Sequence, residues 1–366
     1  MADFSVSDCA HMAQALHLAE RGLYTAHPNP MVGCVLVRDD EVIGEGWHEA
    51  AGKPHAEVNA LSAAGDKASG AIAYVTLEPC SHHGKTPPCT EALIAAGVAE
   101  VVVGLEDPNP KVNGQGLEAL VKAGIKTRVG LMRGEVTTLL SGFLSRLTRG
   151  RPFVRLKMAC SIDGCIAMAS GESQWITGPE ARADVQRLRA RSGAILTGIG
   201  TVLADDPSFT VRDAALDTHG RQPVRVVLDN GLRMPLSAEM LALPGDTLIY
   251  CIDDEKRQPL VDAGAEVIKV DAVDDLVSAA AVLGDLAYRD VNDVLVEAGP
   301  TLAGNLISNN LVDELVIYQA PHIMGSETLG MFRTPTWTEL SDRMALAITD
   351  LRQVGTDTRI TARLTG

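Results

Sequence analysis

Three short segments place metal-binding side chains beside a carboxylate: Pro54-His55-Ala56-Glu57, Glu78-Pro79-Cys80 and Pro87-Pro88-Cys89. One histidine nitrogen and two cysteine sulfurs suit a zinc ion and leave its fourth position for water. The metal makes such a water acidic enough to attack as hydroxide near neutral pH, and the amidine carbon of a nucleobase-like ring is a fitting target. A carboxylate must then carry the proton to the departing amine. Glu57, two residues from His55, is placed for that shuttle without touching the metal. Cys89 follows two prolines and opens a helix, where the backbone dipole favours a thiolate.

A His-x-Glu followed by Pro-Cys-x-x-Cys is the signature of zinc deaminases. Here eight residues, 81–88, separate the cysteines instead of two. A structural zinc or a redox pair is the competing reading. A structural site wants a fourth protein ligand, and none is obvious beyond His82 or His83. A redox pair leaves His55 and Glu57 unexplained. The other cysteines, Cys9, Cys34, Cys160, Cys165 and Cys251, are isolated and read as small buried apolar residues.

The second half spreads its chemistry more thinly. Gly198-Ile-Gly200-Thr201 follows a strand but lacks the third glycine of a dinucleotide fingerprint. Glu297-Ala-Gly299-Pro300-Thr301-Leu302 follows an apolar strand and opens a helix. Its backbone N–H groups are placed to receive a pyrophosphate, and a plain strand-to-helix turn fits the same residues.

The elements that must position these groups alternate along the chain. In the first half, helices are expected at 7–21, 56–64, 90–96 and 117–123, and strands at 31–37, 42–47, 71–77 and 100–104. Leu139, Leu140, Phe143, Leu144 and Leu147 mark a last amphipathic helix. Arg149-Gly150-Arg151-Pro152 stops it, and the domain boundary is expected there, giving residues 1–149 and 150–366. The second half alternates strands at 153–158, 194–197, 224–228, 247–251, 267–270, 294–297 and 314–318 with helices at 179–191, 276–286 and 302–309. Thr177, Pro179 and Glu180 read as cap, first-turn proline and capping box of the first of these helices. The expected fold is α/β in two domains, the second a mostly parallel sheet with helices on both faces.

Both halves are acidic: 12 basic against 17 acidic residues in 1–150, and 20 against 30 in 151–366, for a net charge of −15. A nucleic-acid backbone calls for a basic stripe, so the balance favours small-molecule substrates and disfavours an editing deaminase. No apolar run approaches a membrane span, and the first nine residues carry Asp3 and Asp8 but no Lys or Arg, unlike a signal peptide. A cytoplasmic, homo-oligomeric enzyme is expected.

Cys80-Ser-His-His-Gly-Lys-Thr-Pro-Pro-Cys89, with His27-Pro-Asn-Pro-Met-Val-Gly33 upstream, resembles the bacterial bifunctional riboflavin-biosynthesis deaminase/reductases. The likeness continues, in order, through Gly171-Glu-Ser-Gln-Trp-Ile-Thr177, Thr201-Val-Leu-Ala-Asp-Asp-Pro207 and Val296-Glu-Ala-Gly-Pro-Thr-Leu302. It implies a cytidine deaminase-like α/β/α domain followed by a dihydrofolate reductase-like α/β domain. The activities implied are zinc-dependent deamination of 2,5-diamino-6-(5-phosphoribosylamino)pyrimidin-4(3H)-one to the 5-aminouracil, then NADPH-dependent reduction of its ribosyl chain to ribityl. It assigns zinc to His55, Cys80 and Cys89, and proton transfer to Glu57. Asn29 then hydrogen-bonds the ring or shapes the turn between two prolines, and Lys85 binds the phosphoribosyl group or sits in solvent. In the second half it implies NADP contacts from Ala159, Trp175, Thr201, Asp205, Gly299, Pro300, Thr301 and Leu302, and substrate contacts from Ser173, Arg189, Arg212 and Glu297. Guanidinium forks such as Arg189 and Arg212 suit phosphate. Asp163 sits near the reacting sugar or shapes a turn. A nucleoside deaminase fused to a folate-type reductase is the nearest rival.

Overall fold

The computed structural model describes residues 3–81, 87–109 and 112–365. His82, His83 and Lys85 lie outside the described residues. The chain separates into two compact units, Met1–Gly150 and Arg151–Gly366.

The first unit is built from α1 (Val6–Glu20), β1 (Gly33–Arg38), β2 (Glu41–Trp47), α2 (Ala56–Ala64), β3 (Ile72–Leu77), α3 (Cys89–Ala95), β4 (Glu100–Leu105), α4 (Gln115–Lys122), β5 (Lys126–Val129), α5 (Arg133–Leu139) and α6 (Ser141–Arg149). Its sheet runs β2-β1-β3-β4-β5, with β1 antiparallel to both neighbours and β3, β4 and β5 parallel. One face packs Ala56, Ala60 and Ala64 of α2, Leu93 of α3 and Leu120 of α4 over Leu36, Val75 and Val103. The other packs Met12, Ala15 and Leu18 of α1 over Val35, Tyr74 and Val102. These are the α/β/α layers expected.

Small residues let α2 lie directly on β2. A Cβ at Gly46 would stand 2.4 Å from the Ala56 carbonyl and the Ala60 nitrogen, so any side chain there would push the helix away. The alternation Gly44-Glu45-Gly46 facing an alanine stripe thus sets where the start of α2, and with it His55 and Glu57, comes to rest. On the opposite face, Ser5 and Asp8 form a capping box on α1. The Asp8 carboxylate also accepts from Tyr74 Oη at 2.8 Å and, in two-pronged fashion, from Arg128 at 2.9 and 2.8 Å. Arg128 therefore holds the Asp8 carboxyl well below the usual carboxylate range.

The main elements of the second unit are β6 (Phe153–Ser161), α7 (Pro179–Arg191), β7 (Ala194–Gly198), α8 (Ile199–Asp205), β8 (Val224–Leu228), β9 (Thr247–Cys251), β10 (Glu266–Lys269), α9 (Ala279–Tyr288), β11 (Asp293–Glu297), α10 (Pro300–Ser308), β12 (Glu314–Ala320), β13 (Leu346–Val354) and β14 (Asp357–Leu364). The nine-stranded sheet runs β10-β9-β8-β7-β11-β6-β12-β14-β13. The strands from β10 to β12 pair in parallel, and β14 and β13 add an antiparallel hairpin at the edge. α9 and α10 cover one face over Leu156, Val294 and Val296; α7 and α8 cover the other over Ile195, Leu295 and Val316.

Several expectations need correction. The cap of α7 is Gly178, not Thr177, and no side-chain capping box forms there. Instead, Gly178 donates its N–H to the Asp357 carboxylate at 2.7 Å, a partner far along the chain. The helix expected at 276–286 begins only at Ala279, with Ser278 as its cap, because Leu276–Val277 pair as a short strand with Ala272–Val273. β5, α8 and the β13–β14 hairpin were not anticipated. Cys9 is exposed, unlike the other isolated cysteines, because it lies on the solvent side of α1.

Candidate active sites

In the first unit, the end of β3 and the starts of α2 and α3 converge. His55 is the cap residue of α2 and Cys89 the first residue of α3. His55 Nδ1 lies 3.2 Å from Cys89 Sγ and 3.6 Å from Cys80 Sγ, and the three ligand atoms all lie within 4.8 Å of one another. A tetrahedral zinc with ordinary Zn–N and Zn–S lengths separates nitrogen from sulfur by about 3.5 Å, so the donor set fits that ion. Cys89 donates its backbone N–H to Cys80 Sγ at 3.4 Å. The Cys89 thiol, that N–H and His55 together hold the Cys80 thiol well below its usual range, while the thiol of Cys89, as donor to Cys80, is pushed up. The site thus already stabilises one thiolate, and a divalent cation would favour the second.

Glu57, in the first turn of α2, is only 3 % exposed. Burial pushes its carboxyl up, and the Cys89 thiol is among its hydrogen-bond partners. A carboxyl that holds its proton more tightly than usual is suited to passing one on.

Sequence reasoning overlooked His48. Its Nδ1 is 3.1 Å from the Pro54 carbonyl, its Nε2 is 3.0 Å from Asn29 Nδ2, and its ring stands edge-on to His55 with centroids 5.4 Å apart. Asn29 is thereby tied, through His48, to the residues beside the ligand cluster. A lone histidine after an edge strand gave no signal.

In the second unit, neighbouring strands β7 and β11 send their chains in opposite directions. β7 leads through α8 outward to β8; β11 leads through α10 to β12, on the far side of β6. α8 and α10 therefore start from adjacent strand ends on opposite faces, the crevice where open parallel sheets bind ligands. Gly198 faces Leu302, and Thr201 Oγ1 lies 3.9 Å from where a Gly299 Cβ would stand. The two glycine-bearing turns, with Gly299, Pro300, Thr301 and Leu302 in one and Thr201 in the other, are thus side by side.

Beneath α7 lies a polar layer. Arg189, 9 % exposed, donates to the two carboxylate oxygens of Glu297 at 2.6 and 3.1 Å and to the Thr210 carbonyl at 3.3 Å. Burial pushes the Glu297 carboxyl up, but Arg189, Lys157 and Arg212 more than reverse it, and the net direction is down. Lys157, which faces Glu297 across the β6–β11 pairing, was overlooked in the sequence, where it reads as one charge in an apolar strand. Its burial lowers the lysine's own pKa. Arg189, Arg212 and Glu297 are therefore brought together, but Arg189's fork is already engaged, whereas Arg212 is exposed.

The remaining residues are more dispersed. Ala159 sits on β6 opposite Tyr318. Asp205 is the last residue of α8 and is exposed. Ser173 and Trp175 lie between β6 and α7, with Trp175 exposed under the Arg182 guanidinium at 4.6 Å. Asp163 accepts from Ser161 Oγ and from the N–H groups of Met324 (3.2 Å) and Gly325 (2.8 Å), so it shapes a turn.

Together the cage and the crevice define a class of two-part enzyme, a zinc-type deaminase region followed by a nucleotide-dependent reductase domain. Residues 5–105 match the cytidine and deoxycytidylate deaminase zinc-binding region, and residues 152–360 match the RibD C-terminal domain. The chain is 49 % identical to the riboflavin biosynthesis protein RibD of Escherichia coli K12 over 96 % of its own length and 98 % of that protein's. RibD of Acinetobacter baumannii superposes with a TM-score of 0.92 at 44 % identity, covering 98 % of this chain and 99 % of that one. The diaminohydroxyphosphoribosylaminopyrimidine deaminase/5-amino-6-(5-phosphoribosylamino)uracil reductase of Thermotoga maritima superposes at 0.88 with 34 % identity, over 98 % of this chain and 99 % of that one. The chain belongs to the RibD family of bifunctional riboflavin-biosynthesis deaminase/reductases. The two-domain α/β fold and the zinc and NADPH expected from the sequence accord with that membership.

Proposed function

We propose that residues 1–149 deaminate 2,5-diamino-6-(5-phosphoribosylamino)pyrimidin-4(3H)-one and that residues 150–366 reduce the ribosyl chain of the resulting 5-amino-6-(5-phosphoribosylamino)uracil with NADPH. The observation that carries this reading is the His55, Cys80 and Cys89 cage with the buried Glu57 carboxyl beside it. His55, Cys80 and Cys89 would hold zinc, which when bound supplies the Lewis acidity that activates water. Glu57 takes a proton from the attacking water and hands it to the ring's departing amine, so that ammonia leaves and a ring carbonyl remains. Asn29, held by His48, orients the ring through its amide. Lys85 is the residue assigned to the phosphoribosyl group.

When bound in the crevice, NADPH would supply the hydride. The Gly299–Leu302 turn would receive its phosphates on backbone N–H groups, beside Thr201, and Ala159, Trp175 and Asp205 are the further residues assigned to hold it. Ser173, Arg212 and the Arg189–Glu297 pair hold the phosphorylated sugar chain. No helix is long and apolar enough to cross a membrane among the described residues, and the acidic surface suits small-molecule substrates in the cytoplasm. A homo-oligomer would use β13, an edge strand with Leu346, Ile348 and Leu351 exposed.

The test is a product assay on the purified full-length enzyme with metal analysis. The zinc-loaded enzyme should release ammonia from the diamino substrate without NADPH, and should consume NADPH only once the deaminated compound is present. Consumption of NADPH with the diamino compound alone, without ammonia release, overturns the order. Faster turnover of cytidine or dCMP favours the rival nucleoside deaminase.

A further inference from the structure

Glu78 is buried one residue before the Pro79-Cys80 turn, and the chemistry above makes no use of it. Its carboxylate accepts four backbone N–H groups from a segment 29 to 39 residues downstream: Asp107 (3.1 Å) and Gly114 (3.0 Å) on Oε2, Gly116 (3.0 Å) and Leu117 (3.3 Å) on Oε1. Three of those donors belong to the opening turn of α4, whose own cap, Gly114, has no side chain to offer. Glu78 therefore caps a helix from outside it, and its negative charge meets the positive end of that helix.

The same segment touches the backbone next to the ligand. A Cβ on Gly116 would stand 2.1 Å from the Pro79 carbonyl oxygen, so α4 begins in direct contact with the peptide that precedes Cys80. On the other side, the Cys80 carbonyl accepts from the Thr90 N–H and hydroxyl, each at 3.2 Å. Cys80 is thus clamped between α3 and the Glu78-bound start of α4.

We infer that Glu78 is a positioning residue for the metal cage: by fastening Asp107 and the start of α4 (Gly114, Gly116 and Leu117) against Pro79, it fixes the point from which Cys80 reaches zinc. This rests on Cys80 being a zinc ligand. Coupling of this kind is reciprocal, so zinc on Cys80 must also tighten the segment that Glu78 holds.

The first measurement needs no variant. Hydrogen exchange at the amides of Asp107, Gly114, Gly116 and Leu117 is followed in the full-length protein with zinc bound and after chelation. Exchange at least about 10-fold slower with zinc is expected; equal rates overturn the proposal. The second compares zinc affinity, by competition with a chromophoric chelator, in the parent, Glu78→Gln, Gly116→Ala and Cys80→Ser. Glu78→Gln sets an amide NH2 against two N–H donors, and Gly116→Ala pushes the segment off Pro79 without changing any charge. Both should weaken zinc binding about 10–100-fold, as supports outside a metal's ligands typically do. Affinities within twofold of the parent in both folded variants overturn the inference. If Cys80→Ser also retains parental affinity, the ligand assignment itself fails; if only Cys80→Ser loses zinc, the failure is Glu78's alone.

Discussion

The two units prepare their chemistry in different ways. In the first, rigid elements bring three soft ligands to nearly the spacing a zinc ion requires, and the carboxyl beside them is already buried. In the second, the strand ends present two glycine-bearing turns, and the buried Arg189 is held by the Glu297 carboxylate. A cage assembled from few, scarce residue types has little tolerance for change. A crevice framed by two glycine-bearing turns has more, except where a buried ion pair underlies it.

The sharpest test of this contrast lies in the cage. Cys89→Ser should lose both zinc and deamination, because a hydroxyl is a poor ligand for a soft site. Glu57→Gln should keep zinc at the parent's stoichiometry while deamination falls about 10²–10⁴-fold, the usual span for a lost proton-transfer group. Zinc lost in step with activity in Glu57→Gln would place that carboxylate on the metal instead.

Next in size is the pair beneath the crevice. Arg189→Ala should destabilise the second unit by about 3 kcal/mol, since it removes both hydrogen bonds to the buried Glu297 carboxylate and leaves it only the charges of Lys157 and Arg212. The loss should appear in denaturant melts without any ligand. If stability is unchanged and only binding of the phosphorylated substrate weakens, Arg189 faces the ligand and not Glu297.

A comparable pair in the first unit brings pH into the comparison. Because Arg128 depresses the Asp8 pKa, its stabilisation is present above the ordinary aspartate value of about 3.9 and is lost as pH falls through the lower folded value. Asp8→Asn should therefore destabilise by about 3 kcal/mol at pH 7, and the gap to the parent should close as pH drops towards 2. A gap that stays constant with pH means the capping and tyrosine bonds, not the charge, are responsible.

The smallest effect is expected at Arg212. It is exposed, so Arg212→Ala should leave melts unaltered and raise KM for the phosphorylated aminouracil about 10-fold, the worth of one charge-assisted hydrogen bond. No change in KM removes it from the substrate site.

What the sequence disclosed follows the same divide. His55, Glu57, Cys80 and Cys89 were legible because their types are scarce and their spacing short, and α2 falls at the expected 56–64. The engagement of Arg189 by Glu297 was not, since 108 residues separate them and only the fold makes them neighbours. β5 escaped notice because Lys126-Thr127-Arg128-Val129 offers almost no apolar pattern. The β13–β14 hairpin is equally charged along its length, with Asp350, Arg352, Asp357 and Arg359. Thr177 reads as a cap because Asp357, which takes the Gly178 N–H, lies 179 residues beyond Gly178.

The ties of Asp8 also set a timetable. α1 precedes its partners in the chain, Tyr74 and, 120 residues after Asp8, Arg128. At about 5–20 residues per second, a translating ribosome needs on the order of 6–24 s to supply that arginine. Met12, Ala15 and Leu18 pack on Val35 and Tyr74, which are made well before Arg128, so during synthesis the apolar side of α1 can be covered while the Asp8 carboxylate still lacks its guanidinium partner.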